Sequence, residues 1–266
     1  MRKYGIPYKG SKSQIAEWVI ENLPRADTLV DLFAGGCAIT DCALQSGKWN
    51  KVIANDIDSS GMELFMNAKN GKYRNESRWI SREDFFRLKD SDPYVKWVWS
   101  FGNDGRSYLF SKEREYHLEP IWKMIFAEST KEARLQWREF CKRKTDDNYH
   151  RGDLEALERL EALERLESLE RLESLEISNQ DYQSVAIPEN AVIYCDIPYR
   201  GTNKYETQID YEEFYDWCTK QSAPVFISEY SMSEDRFEIV AEKDKRNTIN
   251  DKMNLLVTER IYRPKR

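Results

Sequence analysis

Histidine is almost missing from this 266-residue chain, which has only His117 and His150. Its five cysteines (Cys37, Cys42, Cys141, Cys195 and Cys218) are odd in number and never spaced as CxxC. Neither a metal site nor a disulfide framework is expected from such a set, and a reduced, cytoplasmic setting fits it. Long apolar runs are missing too. Nothing approaches the ~20 residues of a membrane span, and Met1-Arg2-Lys3-Tyr4-Gly5 has no apolar stretch behind its basic pair, so no secretory leader is expected. G-x-G-x-x-G does not occur, which speaks against a NAD-dependent oxidoreductase. What is present, 40% hydrophobic and 13% aromatic residues, is enough for a packed core. The length suits one large domain, or a core carrying a substantial insertion.

Charge is unevenly spread. Asp153 to Glu176 holds nine acids against three arginines, which accounts for the whole net charge of −6. From Lys243 onward eight Lys/Arg face three acids, and Arg2, Lys3, Lys9 and Lys12 add basic groups at the start. A locally basic surface can therefore hold phosphates despite the acidic total.

In chain order, Tyr8-Lys9-Gly10-Ser11-Lys12 precedes Ile15, Trp18, Val19 and Leu23. Those spacings of three and four predict a helix, with Ser11 or Ser13 as its cap. Thr28 to Phe33 reads as a buried strand, followed by the Ala34-Gly35-Gly36-Cys37-Ala38 turn and a helix through Leu44. Lys51 to Asp56 is a second strand, ending in an acid 21 positions after Gly35. Strand, glycine turn, helix, strand and acid at that spacing suit an adenosine-type ligand, with the acid on the ribose hydroxyls.

From Asp58 to His150 the strand signals fade, and Trp and Tyr are interleaved with Lys/Arg, 18 of them against 16 acids. Ordinary helical packing explains most of these aromatics. The Trp99 to Tyr108 stretch reads as a glycine-turn loop suited to groove or phosphate contacts, and Arg106 and Lys112 are its candidate DNA-binding residues. Leu154 to Glu176 repeats every six residues (LEALER, LEALER, LESLER, LESLE). The composition favours helix, with Asp153 as cap and Glu155–Arg159, Glu161–Arg165 and Glu167–Arg171 spaced for i,i+4 pairs. Leucine recurs every third residue, so its seam drifts about 60° per step. No fixed apolar face is expected, which predicts a helical arm that is exposed or only partly packed.

Ile177 to Tyr182 turns strand-like again. Val192-Ile193-Tyr194-Cys195-Asp196-Ile197-Pro198-Tyr199 then ends an apolar run in an acid, a stiff turn and a ring, at what would be the mouth of a parallel sheet. A helix around Tyr211 to Thr219, a strand from Pro224 to Glu229 and a closing antiparallel pair complete the pattern.

The order of these motifs, Tyr8-Lys9-Gly10-Ser11-Lys12, Asp31-Leu32-Phe33-Ala34-Gly35-Gly36, Asp56, Asp181-Tyr182 and Asp196-Ile197-Pro198-Tyr199, resembles Dam-like adenine-specific DNA methyltransferases. The likeness covers about residues 4–57 and 177–232. It implies an α/β fold: a Rossmann-like class I methyltransferase core (residues 1–57 and 177–266) with a mainly helical inserted target-recognition domain (58–150) and the repeat as an arm (151–176). It implies S-adenosylmethionine as cofactor and double-stranded DNA as substrate, and leaves room for a restriction endonuclease partner.

Carried over by motif, Tyr8 and Lys12 would close the site. Phe33, Ala34 and Gly35 would line the methionine part, with Asp31 at the head of that motif also on the cofactor side. Asp56 would take the ribose hydroxyls, Asp181 and Tyr182 would sit by the cofactor's adenine, and Asp196, Ile197, Pro198 and Tyr199 would hold the target base. The family's pattern has proline where this chain has Ile197, which puts turn stiffness and rate in question. A catalytically silent S-adenosylmethionine-binding DNA-recognition protein, and a methyltransferase acting on RNA or a protein amide, remain the alternatives.

Overall fold

The computed structural model describes residues 4–143, 155–167, 172–198, 209–246 and 256–265. Asp153, Arg171 and Tyr199, all singled out above, lie outside the described residues. The chain divides into two units, one of residues 1–5, 11–62 and 170–266, the other of residues 6–10 and 63–169.

The first unit is built on a seven-stranded sheet. β1 (Thr28–Asp31), β2 (Lys51–Asn55), β3 (Leu175–Ser178), β4 (Ala191–Cys195) and β5 (Val225–Glu229) run parallel in the order β3-β2-β1-β4-β5. β6 (Phe237–Arg246) and β7 (Leu256–Pro264) form an antiparallel hairpin, with β7 pairing to β5. This is a Rossmann-like order with a hairpin edge. It reverses between β1 and β4, the place where open α/β sheets take ligands beyond the carboxyl ends of their strands.

Both faces of the sheet are covered, so β1, β2, β4 and β5 are buried along almost their whole length and do not alternate. Leu29, Val52, Val192 and Tyr194 face one core with α1 (Ala16–Asn22) and α2 (Ala38–Ser46). Val30, Ile53, Ile193 and Cys195 face the other with α9 (Tyr211–Lys220). Neither Ser11 nor Ser13 caps α1, as the spacing had suggested. Ile15 holds the N-cap position without a side-chain bond, while Ser13 Oγ accepts from the Tyr4 amide and Ser11 Oγ from the Ser13 amide. The chain enters α1 through a folded-back segment, and both hydroxyls are used there.

α3 (Ser60–Lys69) leads out of the first unit, and the second unit is helical: α4 (Arg82–Leu88), α5 (Pro93–Val98), α6 (Lys112–Ile125), α7 (Thr130–Arg143) and α8 (Glu155–Glu167). Caps from Ser81, Asp92 and Ser111 start three of these helices. Trp97, Trp99, Tyr108 and Trp122 are core residues, as helical packing predicts, whereas Tyr116 and Trp137 are half exposed.

Where it is described, the repeat is packed helix rather than bare arm. Leu160, Leu163 and Leu166 are all buried, and so is Arg159. Over seven residues the threefold spacing sweeps only about 120° of the helix, close to the width of an ordinary apolar face. Arg159 falls inside the same arc. Its Nη1 donates to Val98 O at 2.6 Å and Ser100 O at 2.7 Å, closing the C-terminal end of α5.

Leu163→Ala is therefore expected to cost about 2–5 kcal/mol in urea unfolding, the range for truncating a buried leucine. A change within ±0.5 kcal/mol, the level of an exposed position, would restore the arm.

Candidate active site

Polar groups gather where β1, β2 and β4 end. The turn after β1 is shaped by positive φ at Gly35 (49°) and Cys37 (60°), and Cys37 is the N-cap of α2. That conformation costs a non-glycine residue free energy, and it places α2's first amides over the strand ends. Gly5 crosses close above the turn. Its amide donates to Asp41 Oδ2 at 2.9 Å, and a Cβ built on it would lie 2.4 Å from Gly36 O. No other residue type fits there.

Asp56, reached 21 positions after Gly35, accepts the Gly35 amide on Oδ2 at 2.8 Å and the Asp58 amide on Oδ1 at 2.9 Å. Burial raises its pKa, with these amides working against the rise. Phe33 is half buried, and its ring stands 5.7 Å from that of Tyr182. Asp181 is exposed and accepts from the Gln183 amide, which starts the short turn carrying Tyr182. Phe33, Ala34, Gly35, Asp56, Asp181 and Tyr182 thus come together over adjacent strand ends.

Asp31 closes β1 just ahead of the turn. It is buried, and its Oδ2 accepts from the Thr40 amide and hydroxyl at 3.1 and 2.7 Å, tying β1 to α2 from below the turn. Burial lifts its pKa to about 7, with Thr40 opposing and the neighbouring Asp196 and Asp56 charges adding to the rise.

At the end of β4, Asp196 Oδ1 receives the Lys12 ammonium at 2.7 Å, and Lys12 is only 6% exposed against 19% for Asp196. Burial alone would lower the Lys12 pKa, but Asp196 and Glu259 outweigh it and hold it above the usual value. Ile197 sits in the core with Val30, Ile193 and Phe214, so the residue that departs from the proline pattern is used for packing. Pro198 O accepts from Tyr211 Oη at 2.7 Å, which anchors the turn to α9.

Tyr8 belongs to the helical unit, where its ring lies 4.5 Å from Trp97. Arg106 and Lys112 are in that unit as well, both exposed. Arg106 lies in a loop braced by the Ser100–Tyr108 bridge, and Lys112 opens α6.

Sequence reasoning missed Asn55. Its Nδ2 donates to Leu32 O and Gln180 O, and its Oδ1 accepts the Gln180 amide, so one buried amide joins the ends of β1 and β2 to the Asp181–Tyr182 turn. A polar residue inside the Lys51–Asp56 run was the available signal. Glu259, fully buried and 3.7 Å from Lys12, was missed as well.

The donor set suits an adenosine carrying a cationic aliphatic chain. There are rings for a flat base, a carboxylate at ribose spacing, a glycine turn for close approach, and more acids than the one lysine neutralises. Among the described residues no group of His, Cys, Asp and Glu could hold a metal ion, and no helix is long and apolar enough to cross a membrane.

Fold and site together define a Rossmann-like methyltransferase architecture. The chain matches the D12 class N6 adenine-specific DNA methyltransferase pattern over residues 8–264 and belongs to that family. It is 45% identical over 60 residues to the type II methyltransferase M2.HphI of Haemophilus parahaemolyticus, a stretch covering 22% of this chain but only 17% of that protein. A crystal structure of a candidate methylase from Haemophilus influenzae aligns over 97% of this chain and 90% of its own at 12% identity, with a TM-score of 0.33. At that score the likeness carries no argument.

Asp31 yields a pH prediction. Between its usual value of 3.8 and about 7 the unfolded chain loses the Asp31 proton while the fold keeps it. Stability therefore falls as pH rises through that window, by up to about 1.4 kcal/mol per unit, and is flat above it. Asp31→Asn keeps an acceptor for Thr40 and cannot ionise. Its unfolding free energy should gain on wild type from pH 4 to about 7 and then run parallel. Curves parallel over the whole range would refute the assignment.

Proposed function

We propose that the protein transfers the methyl group of S-adenosylmethionine to the exocyclic amine of an adenine flipped out of duplex DNA. The observation that carries this reading is the Asp196 carboxylate at the switch-point end of β4, held by Lys12 beside the glycine turn and Asp56. Phe33, Ala34, Gly35, Asp56, Asp181 and Tyr182 would hold the cofactor, which supplies an electrophilic methyl on a sulfonium.

Adenine's amine is a poor nucleophile, because its lone pair is delocalised into the ring. The Asp196 carboxylate and the Ile197 carbonyl would each accept one of its hydrogens and favour a pyramidal nitrogen. That stabilisation grows towards the transition state. Lys12 orients Asp196, so Asp196 acts as an acceptor and not as a strong base. The base must leave the stack to reach these groups, and Tyr199 would supply a ring for it. Arg106 and Lys112, on the helical unit, would contact the phosphates.

The reaction is tested by incubating the protein with labelled S-adenosylmethionine and duplex DNA, then digesting the product. N6-methyladenine is expected, and its absence where cofactor binds would rule the reading out. Label in RNA or protein instead would favour those alternatives. Asp196→Ala is expected to lower kcat by about 10²–10³-fold or more, the scale for losing one preorganised transition-state partner, with cofactor affinity largely kept. Arg106→Ala should weaken DNA binding across all sequences and reduce the slope of log K against log salt by about 0.9. An unchanged slope would remove Arg106 from the phosphate contacts.

A further inference from the structure

Lys12 has a second anchor, on a strand of the sheet itself. Glu259 Oε1 lies 3.7 Å from the Lys12 ammonium. Glu259 stands on β7, one strand beyond β5, on the same face as Ile261, which belongs to the core that α1 packs against. It is completely buried, whereas Asp196, the other partner, is partly open. We propose that Glu259 is a positioning residue for the methyl-transfer reaction: it holds Lys12 from the sheet side and thereby fixes the Asp196 carboxylate. The inference rests on the function proposed above.

The physical case starts from burial. An acid is rarely buried completely unless it is paired, and Glu259 lies on β7, flanked by β5 and β6. An ammonium carries three donors on a flexible stem. Without the charge on Glu259, it could follow the Asp196 side chain through more of its rotamers, and the pair could swing towards solvent. Anchored from behind by a carboxylate fixed on a strand, it restricts Asp196 to one side.

The second charge also shares the ammonium's field. With Glu259 neutral, the whole of the Lys12 charge bears on Asp196 and weakens it as an acceptor for an amine. The residues involved come from the chain start, the end of β4 and the terminal hairpin, so no local motif could have brought Glu259 to the site.

Glu259→Gln keeps the shape and removes the charge. In the wild type's methyl-transfer assay, kcat is expected to fall about 10-fold while the dissociation constant for S-adenosylmethionine, measured by calorimetry without DNA, stays within 2-fold. An unchanged kcat in a folded variant overturns the proposal. So does an equal loss in kcat and cofactor affinity, which would mark general damage.

If the glutamine variant does not fold, Glu259→Asp serves instead, since it keeps the charge but withdraws it by a methylene. Lower kcat with intact cofactor affinity supports the role, and wild-type kcat overturns it. Should the wild type itself transfer no methyl to DNA, the proposed function fails on its own. The anchor is then read from urea unfolding of Lys12→Met, Glu259→Gln and the double variant: non-additive midpoints support it, and additive ones overturn it.

Discussion

The site depends on one buried ammonium. Moving Lys12 out of water is costly unless the charge is compensated, and the compensation comes from Asp196 at 2.7 Å and Glu259 at 3.7 Å. That requirement links three distant parts of the chain: the segment before α1, the end of β4 and the terminal hairpin. Removing either carboxylate would leave an imbalance inside the protein, so the same contacts that orient Asp196 also enforce the fold around it. Stability and chemistry are coupled at this point, and substitutions here must be read by both measures.

Around the ammonium, a network of acids and amides turns loop backbone into fixed geometry. Asp31 draws α2 down onto β1 through Thr40, Asp41 holds Gly5 above the turn, and Asp56 holds Gly35 from the side. Each accepts backbone amides that the strand and helix ends leave over. The result is a turn with two left-handed residues pinned from three directions. A strained turn of that kind persists only where its surroundings over-determine it. Asn55 extends the network to the Asp181–Tyr182 turn, so the elements proposed to hold the cofactor are joined before any ligand arrives.

The parts of this arrangement that were legible in sequence are those written locally. Apolar runs marked β1, β2, β4 and β5, the glycine pair marked the turn, and an acid at the fixed spacing marked Asp56. The parts that were not legible are contacts across long separations. Asn55 meets Gln180 across 125 residues, and nothing in either neighbourhood announces the partner. Glu259 sat among the basic residues of the terminal segment, and nothing in its neighbourhood set it apart. Ser11 and Ser13 had the chemistry of caps, but the backbone offered them closer amides. Ile197 looked like a weakened motif, yet its side chain fills the core beside Phe214, so its identity answers to packing as well as to the turn.

The hexad repeat shows most directly how tertiary context overrides local pattern. Its units are nearly identical, yet Leu160, Leu163 and Leu166 line the buried face of a helix, while Leu175 to Ser178 forms an edge strand paired to β2. The spacing of leucine carries on as far as Leu175, but Ser174, Ile177 and Ser178 weaken helix propensity there. The neighbour differs as well. α8 lies against the end of α5, where Val98 and Ser100 offer carbonyls to Arg159. At Leu175 the open edge of a parallel sheet offers a ladder of unpaired backbone groups, and Lys51 offers a charge to Glu176. A repeat whose seam drifts around the helix has no face it must keep. That freedom is what allows one sequence unit to end as helix at one site and as strand at another.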